Sequence, residues 1–455
     1  MKKYDAIVIG SGCGAIISDE AVGHGLKVAL IDRGPLIGGT CLNWGCIPSK
    51  MLIAVADRIV EIQQAKKLGV TAEIKNIDFR AIMNRMRRSR RESQKHLRES
   101  IGQTGNLDFY EGIARFISDY TLEVNGKKLE GENIFIATGS RPVIPPITGL
   151  NKVEYLTSES ILELKERPDS LIIIGGGYIA VEFGHFFAAM GTKVTILEMA
   201  DRLILSEEPE IAELLRLKLM PRMVVHTGTL VESIEKRGKG VRVFTRDDKD
   251  RKPRAFIAQY VMLAVGRRSS ADILQVERTG VEVDERGFIK VNEYMETSKK
   301  NIFAVGDVTG QQMFTHTANR EASIVAYNVL HGADMAVGYS AVPHAVYSYP
   351  QIASVGLKEE EARKEHDILV SKTSYYETAK GEAIMENEGF AKAIVEKETD
   401  KILGFHIIGP YAPELIQEVV NAMTSGGDVD EINDGIHIHP SLSELVPTTV
   451  NSTRE

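Results

Sequence analysis

Cys41 and Cys46 lie in the stretch Gly38-Gly39-Thr40-Cys41-Leu42-Asn43-Trp44-Gly45-Cys46-Ile47-Pro48-Ser49-Lys50 and are two of only three cysteines in the chain. Thiols this close can cycle between dithiol and disulfide. On a regular helix a five-residue step rises ~7.5 Å, whereas a disulfide needs Cα atoms ~4.4–6.8 Å apart. The pair therefore requires an irregular turn, for which Gly45 gives backbone freedom and Pro48 suits the first turn of a following helix. A thiolate at that helix N-terminus is expected to have a lowered pKa. Two unrelated buried thiols are the other reading of the same residues. A second chemical pair stands near the end of the chain, where His439 and Glu444 have the types of a general base and the carboxylate that orients it. A structural histidine is the alternative there.

Two nucleotide-binding elements can position this chemistry. Tyr4 to Ile9 is an apolar strand leading into Gly10-Ser11-Gly12-Cys13-Gly14-Ala15, a helical stretch follows to about Gly25, and Lys27 to Ile31 is a second strand closing on Asp32. Gly10 permits the turn, Gly12 lets backbone N–H groups approach a pyrophosphate, and Asp32 can accept from ribose hydroxyls. Ala15 occupies the usual place of a third glycine. The pattern returns at Leu171-Ile172-Ile173-Ile174-Gly175-Gly176-Gly177-Tyr178-Ile179-Ala180, with a strand from Val194 to Leu197 closing on Glu198. The glycine-to-acid interval is 22 residues from Gly10 to Asp32 and 23 from Gly175 to Glu198. Two such units imply two dinucleotides, with one true site and one structural repeat as the alternative. Glu198 favours an unphosphorylated ribose and so NAD(H), with NADP(H) the lesser candidate through nearby Arg202.

Val261-Met262-Leu263-Ala264-Val265-Gly266 echoes the strand end Ala137-Thr138-Gly139, and Ile302 to Val305 leads to Gly306-Asp307, an acid able to bind a cofactor's ribityl or phosphate end. Met51 to about Ser100 predicts long helices. Pro-rich residues through Pro145-Pro146 mark a boundary near residue 150, and beyond about Gly338 the pattern becomes β-rich, with a helix from about Pro413 to Met423.

A chain of 455 residues is too long for one core. No apolar run of ~18 residues predicts a membrane span, and Met1-Lys2-Lys3 lacks the apolar segment of a signal peptide. Three cysteines make no secreted disulfide framework, so a reducing compartment, by default the cytoplasm, is expected. The net charge of −8 argues against nucleic-acid binding. The run Arg85, Arg87, Arg88, Arg90, Arg91 reads as a solvated helix face or a phosphate or partner patch. No metal site is expected.

These motifs together resemble the flavin-dependent pyridine nucleotide–disulfide oxidoreductases, a family that includes dihydrolipoamide dehydrogenase, glutathione reductase, mycothione reductase and mercuric reductase. The resemblance implies an α/β fold with two Rossmann-like dinucleotide-binding domains, as in glutathione reductase, and a C-terminal α+β dimerisation domain. It places the first part of an FAD domain at 1–150, an NAD(P) domain at 151–270, a central segment completing the FAD domain at 271–338 and the dimerisation domain at 339–455. It implies cofactor contacts at Gly10, Gly12, Ala15, Asp32, Gly39, Thr40, Thr138, Gly139 and Asp307 for FAD, and at Gly175, Gly177, Tyr178, Glu198 and Gly266 for the nicotinamide domain. Lys50 and Glu182 match an ion pair near the flavin, and Tyr178 an aromatic gate. Cys46 matches the charge-transfer thiol and Cys41 the thiol that exchanges with substrate, with His439 moving the proton in a homodimer with shared active sites. The substrate class is a small dithiol or disulfide, including protein-bound lipoyl.

No cysteine follows Cys46, which speaks against mercuric reductase and the large thioredoxin reductases. The Cys41 motif and Glu198 resemble dihydrolipoamide dehydrogenase. Ala180, Asn319-Arg320-Glu321-Ala322 and Pro350-Gln351-Ile352-Ala353-Ser354-Val355-Gly356 resemble mycothione reductase. NADH oxidase, transhydrogenase and a noncatalytic flavin-binding adaptor are the other classes, and none of them needs Cys41, Cys46 and His439 together.

Overall fold

The computed structural model describes residues 1–248 and 251–454. Two parallel-sheet nucleotide-binding domains and a C-terminal antiparallel sheet with helices give the mixed α/β class that the sequence indicates. In chain order the first elements are β1 (Lys2–Ile9), α1 (Gly14–Gly23), β2 (Val28–Asp32), α2 (Gly39–Asn43), α3 (Cys46–Gln64), α4 (Phe79–Gln103), β3 (Leu107–Glu111), β4 (Arg115–Ser118), β5 (Thr121–Val124), β6 (Lys127–Ile136) and β7 (Ser140–Pro142). Then follow β8 (Ser170–Ile174), α5 (Tyr178–Ala189), β9 (Lys193–Leu197), α6 (Pro209–Leu219), β10 (Val224–His226), β11 (Thr229–Arg237), β12 (Gly240–Asp247), β13 (Pro253–Ala258) and β14 (Tyr260–Leu263). The remainder is β15 (Arg267–Ser269), α7 (Ala271–Leu274), β16 (Ile302–Ala304), α8 (Thr315–His331), β17 (Pro343–Val346), β18 (Ile352–Gly356), α9 (Glu359–Glu365), β19 (Ile368–Ser374), α10 (Ala379–Ala383), β20 (Phe390–Glu396), β21 (Ile402–Ile408), α11 (Ala412–Ser425), α12 (Asp430–Asn433) and α13 (Leu445–Asn451).

Two compact units divide the chain. One holds Met1–Ser49, Met83–Val143 and Gly266–Gly338, and the other holds Lys50–Ile82, Ile144–Val265 and the residues from Tyr339 on. In the first unit a sheet runs β3-β2-β1-β6-β5-β4, and β16 joins it beside the last residues of β6. β1, β2, β3, β6 and β16 pair in parallel. Buried strands of parallel sheets read as continuous apolar runs because both faces are covered, as Ile7-Val8-Ile9 and Ile134-Phe135-Ile136 do.

The second unit repeats the plan with the parallel order β10-β9-β8-β14, and adds the antiparallel sheets β11-β12-β13 and β17-β18-β21-β20-β19. The last sheet packs Ala391, Phe405 and Ile407 against Ile416 and Val419 of α11 and Leu445 and Val446 of α13. The long helices expected after Met51 are α3 and α4. Gly69 takes a left-handed φ of 81° after the first, and Asp78 accepts the Ala81 N–H at 2.9 Å at the start of the second. No helix among the described residues is long and apolar enough to cross a membrane.

Candidate active site

In the first unit Gly10 has φ 108°, and a Cβ there would strike the carbonyl oxygen of Ala137 at the end of β6. Gly39, with φ 73°, brings the redox segment against the same turn: its Cβ would lie 2.6 Å from the Cα of Gly12. Only glycine tolerates both the positive φ and that approach. Asp32 ends β2 and accepts from the Ser11 N–H at 3.0 Å, from the Ser11 hydroxyl and from the Gly34 N–H at 3.1 Å. The Ser11 Oγ in turn accepts the Gly38 N–H at 2.7 Å, tying the acid, the turn and the redox segment together. Asp307 receives the Ser140 hydroxyl at 2.5 Å and lies 3.7 Å from the Arg267 guanidinium, which also donates to the Ser140 Oγ at 2.7 Å.

A cavity of about 360 Å³ lies among these groups, walled by Gly10, Gly12, Asp32, Gly39, Thr40, Cys41, Thr138, Gly139, Asp307 and Thr315. The Thr138 Oγ1 is buried with no hydrogen-bond partner among the described residues. Ala15 does not border this cavity; its neighbour Gly14 makes the close helix-to-strand approach, since a Cβ on Gly14 would lie 2.8 Å from Val8 Cγ1.

The redox pair sits between two helices. α2 carries Cys41, α3 begins at Cys46, and the irregular turn joining them donates the Trp44 and Gly45 N–H groups to the Thr40 carbonyl at 2.8 and 2.7 Å. Both cysteines are thiols here, and their sulfurs are hydrogen-bonded to one another. The Cys46 sulfur is 3.3 Å from the hydroxyl of Thr315, the first residue of α8. The hydrogen bond with Cys46, and then burial, push the Cys41 thiol well above its ordinary pKa and outweigh the lowering by Thr315. The thiol at the start of α3, where the helix dipole is expected to favour the thiolate, is Cys46, so the raised Cys41 pKa does not bear on that expectation. Burial, with the charges of Glu321 and Asp307, pushes Cys13 up to about 12, and a desolvated thiol of that kind is a poor nucleophile at neutral pH.

Asn43 anchors the pair. Its Nδ2 donates to the Ile37 and Gly39 carbonyls at 2.8 and 2.9 Å, its Oδ1 accepts from Gln94 Nε2 at 2.8 Å, and its carbonyl accepts from Arg90 at 3.3 Å. Ser11, Thr315, Asn43 and Gln94 were not singled out from the sequence; a buried Gln and Arg on an otherwise polar helix carry no signal until their partner is known.

In the second unit Gly175 also has φ 108°, and its Cβ would strike the Ala264 carbonyl oxygen. Gly177 precedes α5 without a side-chain cap, which leaves the helix N-terminus open for an anion. Glu198 accepts the Ala200 N–H at 2.6 Å. Tyr178 opens α5 and is partly exposed. On the same helix the buried Glu182 pairs with Lys50 at 2.6 Å and accepts the Tyr347 N–H at 3.0 Å, while the Lys50 ammonium lies 4.4 Å from the Tyr347 ring centre. One turn on, buried His185 links Asp57 at 2.8 Å to Arg222 at 2.7 Å, and burial lowers its pKa. The Nε of Arg202 is buried without a partner among the described residues. Gly266 belongs to the first unit, has φ 115° and accepts the Val143 N–H at 3.0 Å. Among the described residues one group of carboxylates, Glu208, Glu210 and Glu359, has ion-binding spacing, and the Lys392 ammonium lies 2.9, 2.8 and 2.7 Å from them.

His439 and Glu444 lie together, with Nδ1 2.8 Å from the Glu444 carboxylate. The Ser441 N–H, and then His439, hold the Glu444 carboxyl below its usual pKa. A carboxylate at Nδ1 fixes that nitrogen as the N–H and leaves Nε2 to give or take a proton. The His439 side chain is 71% exposed, so Nε2 is accessible.

A paired dithiol beside a glycine-lined cavity, with a second nucleotide-type turn in the chain, defines the class of nucleotide-dependent thiol oxidoreductases. The chain belongs to the pyridine nucleotide-disulphide oxidoreductase family: residues 4–322 match the family's nucleotide-binding model and residues 342–450 its dimerisation domain. It is 35% identical to dihydrolipoyl dehydrogenase of Geobacillus stearothermophilus over 97% of this chain and 94% of the relative. It is 34% identical to mycothione reductase of Mycobacterium tuberculosis over the whole of both chains. Mercuric reductase of Lysinibacillus sphaericus is 32% identical over 97% of this chain and 81% of its own. The HOCl-induced flavoprotein disulfide reductase of Escherichia coli, solved as a Cu(II) complex, superposes with a TM-score of 0.89 at 30% identity, covering 99% of this chain and all of that one. The family is FAD-dependent and works with NAD(P)H. The first-unit cavity fits such a group, because its turn has no room for a Cβ at Gly10 and its wall offers an unpartnered Thr138 hydroxyl.

Proposed function

We propose that the protein transfers electrons between NAD(H) and a dithiol or disulfide through FAD and the Cys41–Cys46 pair, with dihydrolipoamide as the first candidate substrate. The observation that carries this reading is the contact of the two thiols with each other at the wall of the Gly10–Thr138 cavity. Gly10, Gly12, Asp32, Thr138 and Asp307 would hold FAD; Gly175, Gly177, Tyr178 and Glu198 would hold the nicotinamide cofactor. When bound, FAD supplies passage of an electron pair between the nicotinamide and the disulfide.

The chain's own residues do the thiol and proton chemistry. In the reducing direction His439 Nε2 takes the Cys41 thiol proton, the Cys41 sulfur attacks one sulfur of the substrate disulfide, and the other leaves with the bonding pair and receives that proton from His439. Cys46 then attacks Cys41, closing the internal disulfide and releasing the second substrate thiol. Once Cys46 is a thiolate, the Thr315 hydroxyl 3.3 Å away can only donate to it, and a hydrogen bond to the charged form favours the thiolate. Oxidation of dihydrolipoamide runs the same steps backwards. The match to a dimerisation domain supports a homodimer, in which His439 serves the pair of a second copy of the chain. A dithiol cycle also suits a reducing compartment such as the cytoplasm.

Steady-state rates with lipoamide, glutathione disulfide and mycothiol disulfide, each with NADH and NADPH, test the reading. The expected result is NADH-linked turnover fastest with the lipoamide couple. Fastest turnover of mycothiol disulfide favours a second reading, a reductase of small disulfides, supported by the full-length match to mycothione reductase. A preference for NADPH would point to the buried, unpartnered Arg202 Nε as the group that recognises a 2′-phosphate.

A further inference from the structure

His185 lies in the middle of α5 and is fully buried, yet both of its ring nitrogens are engaged. Nδ1 is 2.7 Å from the Arg222 guanidinium, and Nε2 is 2.8 Å from the Asp57 carboxylate on α3. A guanidinium has donors and no acceptor, so Nδ1 must offer its lone pair and the proton sits on Nε2, donated to Asp57. The imidazole is therefore neutral, set between an anion and a cation. The charged and titratable groups facing it are Asp57 from α3, Glu182 on α5 itself, Arg222 after α6, and Tyr349. Burial first, with the Arg222 charge adding to it, outweighs Asp57 and lowers the His185 pKa. Arg222 also donates to the Tyr349 carbonyl at 2.7 Å, and the Tyr349 ring stacks on His185 with centres 6.2 Å apart. Two residues before Tyr349, the Tyr347 N–H reaches Glu182 at 3.0 Å, and Glu182 pairs with Lys50 at 2.6 Å. The contacts make a closed circuit: from His185 to Arg222, to Tyr349, along the chain to Tyr347, to Glu182, and back along one turn of α5. Lys50–Glu182 and Asp57–His185 pin α5 to α3 at two points. All of these residues lie in the second unit.

We infer that His185 is a positioning residue for electron entry: as the neutral Nε2–H tautomer it closes the circuit that holds α5, whose N-terminus forms the second cradle, on α3, the helix that Cys46 opens. The inference rests on the NAD(H)-to-disulfide reading above and deepens it, because it makes a neutral His185 a condition for passing electrons from the nicotinamide. An imidazolium at this place would turn a second N–H toward the guanidinium, two donors and two positive charges facing across 2.7 Å. Arg222 is then displaced and the Tyr349 carbonyl loses its donor. Through Tyr347 the loss reaches Glu182, on the same helix as the cradle. A buried ring that only filled space would need neither nitrogen.

Two measurements on the FAD-loaded enzyme test it. In the first, nitrogen-15 spectra of histidine-labelled protein are followed from about pH 8 to about pH 5, with the His185 signals identified by their loss in His185→Asn. The expected spectrum is a single Nε2–H tautomer that stays neutral through the ordinary histidine midpoint of ~6.5. In Arg222→Met, which keeps the stem and loses the donors, His185 is expected to protonate at a higher pH than in wild type. In the second, rapid mixing separates flavin reduction by NADH from oxidation of the dithionite-reduced enzyme by lipoamide. His185→Phe and Arg222→Met are expected to lower the limiting rate of flavin reduction by about tenfold, the worth of a hydrogen bond to a charged group, while flavin content and the lipoamide half-reaction hold. His185→Asn, whose Oδ1 can still accept from Arg222, recovers most of that loss. Should His185→Phe not fold, Arg222→Met, at the half-buried edge of the circuit, carries the same expectation. A His185 that titrates as an ordinary histidine, or holds its proton on Nδ1, overturns the proposal. So does a rate of flavin reduction that is unmoved in the variants, or that falls only in step with flavin content, melting temperature and the lipoamide half-reaction, as a purely structural histidine would give. Each of these outcomes leaves the NAD(H)-to-disulfide reading standing. If the spectra are as expected and neither NADH nor NADPH reduces the wild-type flavin, the clamp is supported and that reading fails.

Discussion

The two glycine-rich turns share a spacing but begin their helices one residue apart. Gly10 and Gly175 have the same φ of 108° and press on equivalent carbonyls, Ala137 and Ala264. α1 then starts at Gly14, whereas α5 starts at Tyr178, the counterpart of Cys13. The small buried residue shifts accordingly: it is Gly14 against Val8 in the first unit and the fully buried Ala180 in the second. The acids diverge as well. Asp32 is short and is bridged to its turn by Ser11, while Glu198 is longer and lies over Gly176, where a Cβ would come within 2.8 Å of Glu198 Cγ. Side-chain length at the acid and side-chain size in the turn vary together, so one motif builds two differently shaped cradles. The strand ends differ in polarity too, since Thr138 offers a hydroxyl where Val265 offers none.

The most disruptive expected change is filling the shared position, because it removes the binding of a whole cofactor rather than one proton transfer. Gly10→Ala is expected to lose bound flavin and Gly175→Ala to keep flavin but lose its reduction by NADH, each by about a hundredfold, from left-handed strain and collision with a carbonyl. Absorbance per protein and rapid-mixing reduction read the two; a yellow Gly10→Ala protein would collapse the assignment of the first cradle. Next, His439→Gln is expected to cut disulfide turnover by ~10²–10⁴-fold while both cradles go on exchanging electrons between NADH and flavin, with Glu444→Gln costing less because the base remains. Heterodimers of His439→Gln and Cys41→Ser subunits are expected to recover activity, and verified heterodimers with none would refute the shared site.

Glu198→Arg is expected to move the NADPH-to-NADH ratio of kcat/KM by about tenfold, a charge-assisted hydrogen bond gained and a repulsion removed. The matching change at Asp32, to Arg, would leave that ratio alone if the cradles divide their labour as proposed. The smallest effect separates the strand ends. Thr138→Val is expected to weaken flavin binding by about fivefold, the worth of one hydrogen bond, while raising the melting temperature of the flavin-free protein, because an unsatisfied buried hydroxyl costs ~1–3 kcal/mol. If both affinity and stability stay fixed, the Thr138 hydroxyl does not face the ligand.

Much of this was legible because parallel strands and glycine turns declare themselves locally. Continuous apolar runs mark β1, β6 and β8, positive φ demands glycine at positions 10 and 175, and a Cys pair around Gly45 announces an irregular turn. The helix starts were not legible: the spacing marks Ala15 and Ala180 alike, and only packing shows that Gly14 took the first of these roles. The partners of the redox segment were hidden for a different reason. Gln94 and Arg90 are 51 and 47 residues from Asn43 in the chain, and no local period reports so distant a bond. The raised Cys41 pKa was hidden too, since its main causes, the Cys46 sulfur and burial, outweigh the lowering by Thr315, which lies far along the chain.

β6 shares its edge between two strands, β5 along Lys127–Glu130 and β16 along Ile134–Ile136. β16 reaches that place only after the whole second nucleotide unit has been made, and Asp307 arrives with it. On a ribosome the first sheet must therefore wait unfinished, its edge open, through some 165 residues of synthesis (Ile136 to Ile302). Closing so long a loop adds little entropy over a shorter one, because the cost grows only with the logarithm of length, but the exposed edge is a site for mispairing until the strand comes home. A chain released before Ile302 would lack both the closing strand and Asp307, one of the residues proposed to hold flavin. Yellow colour in a fresh preparation would thus mark molecules translated past that point, which makes flavin uptake a built-in test of completeness.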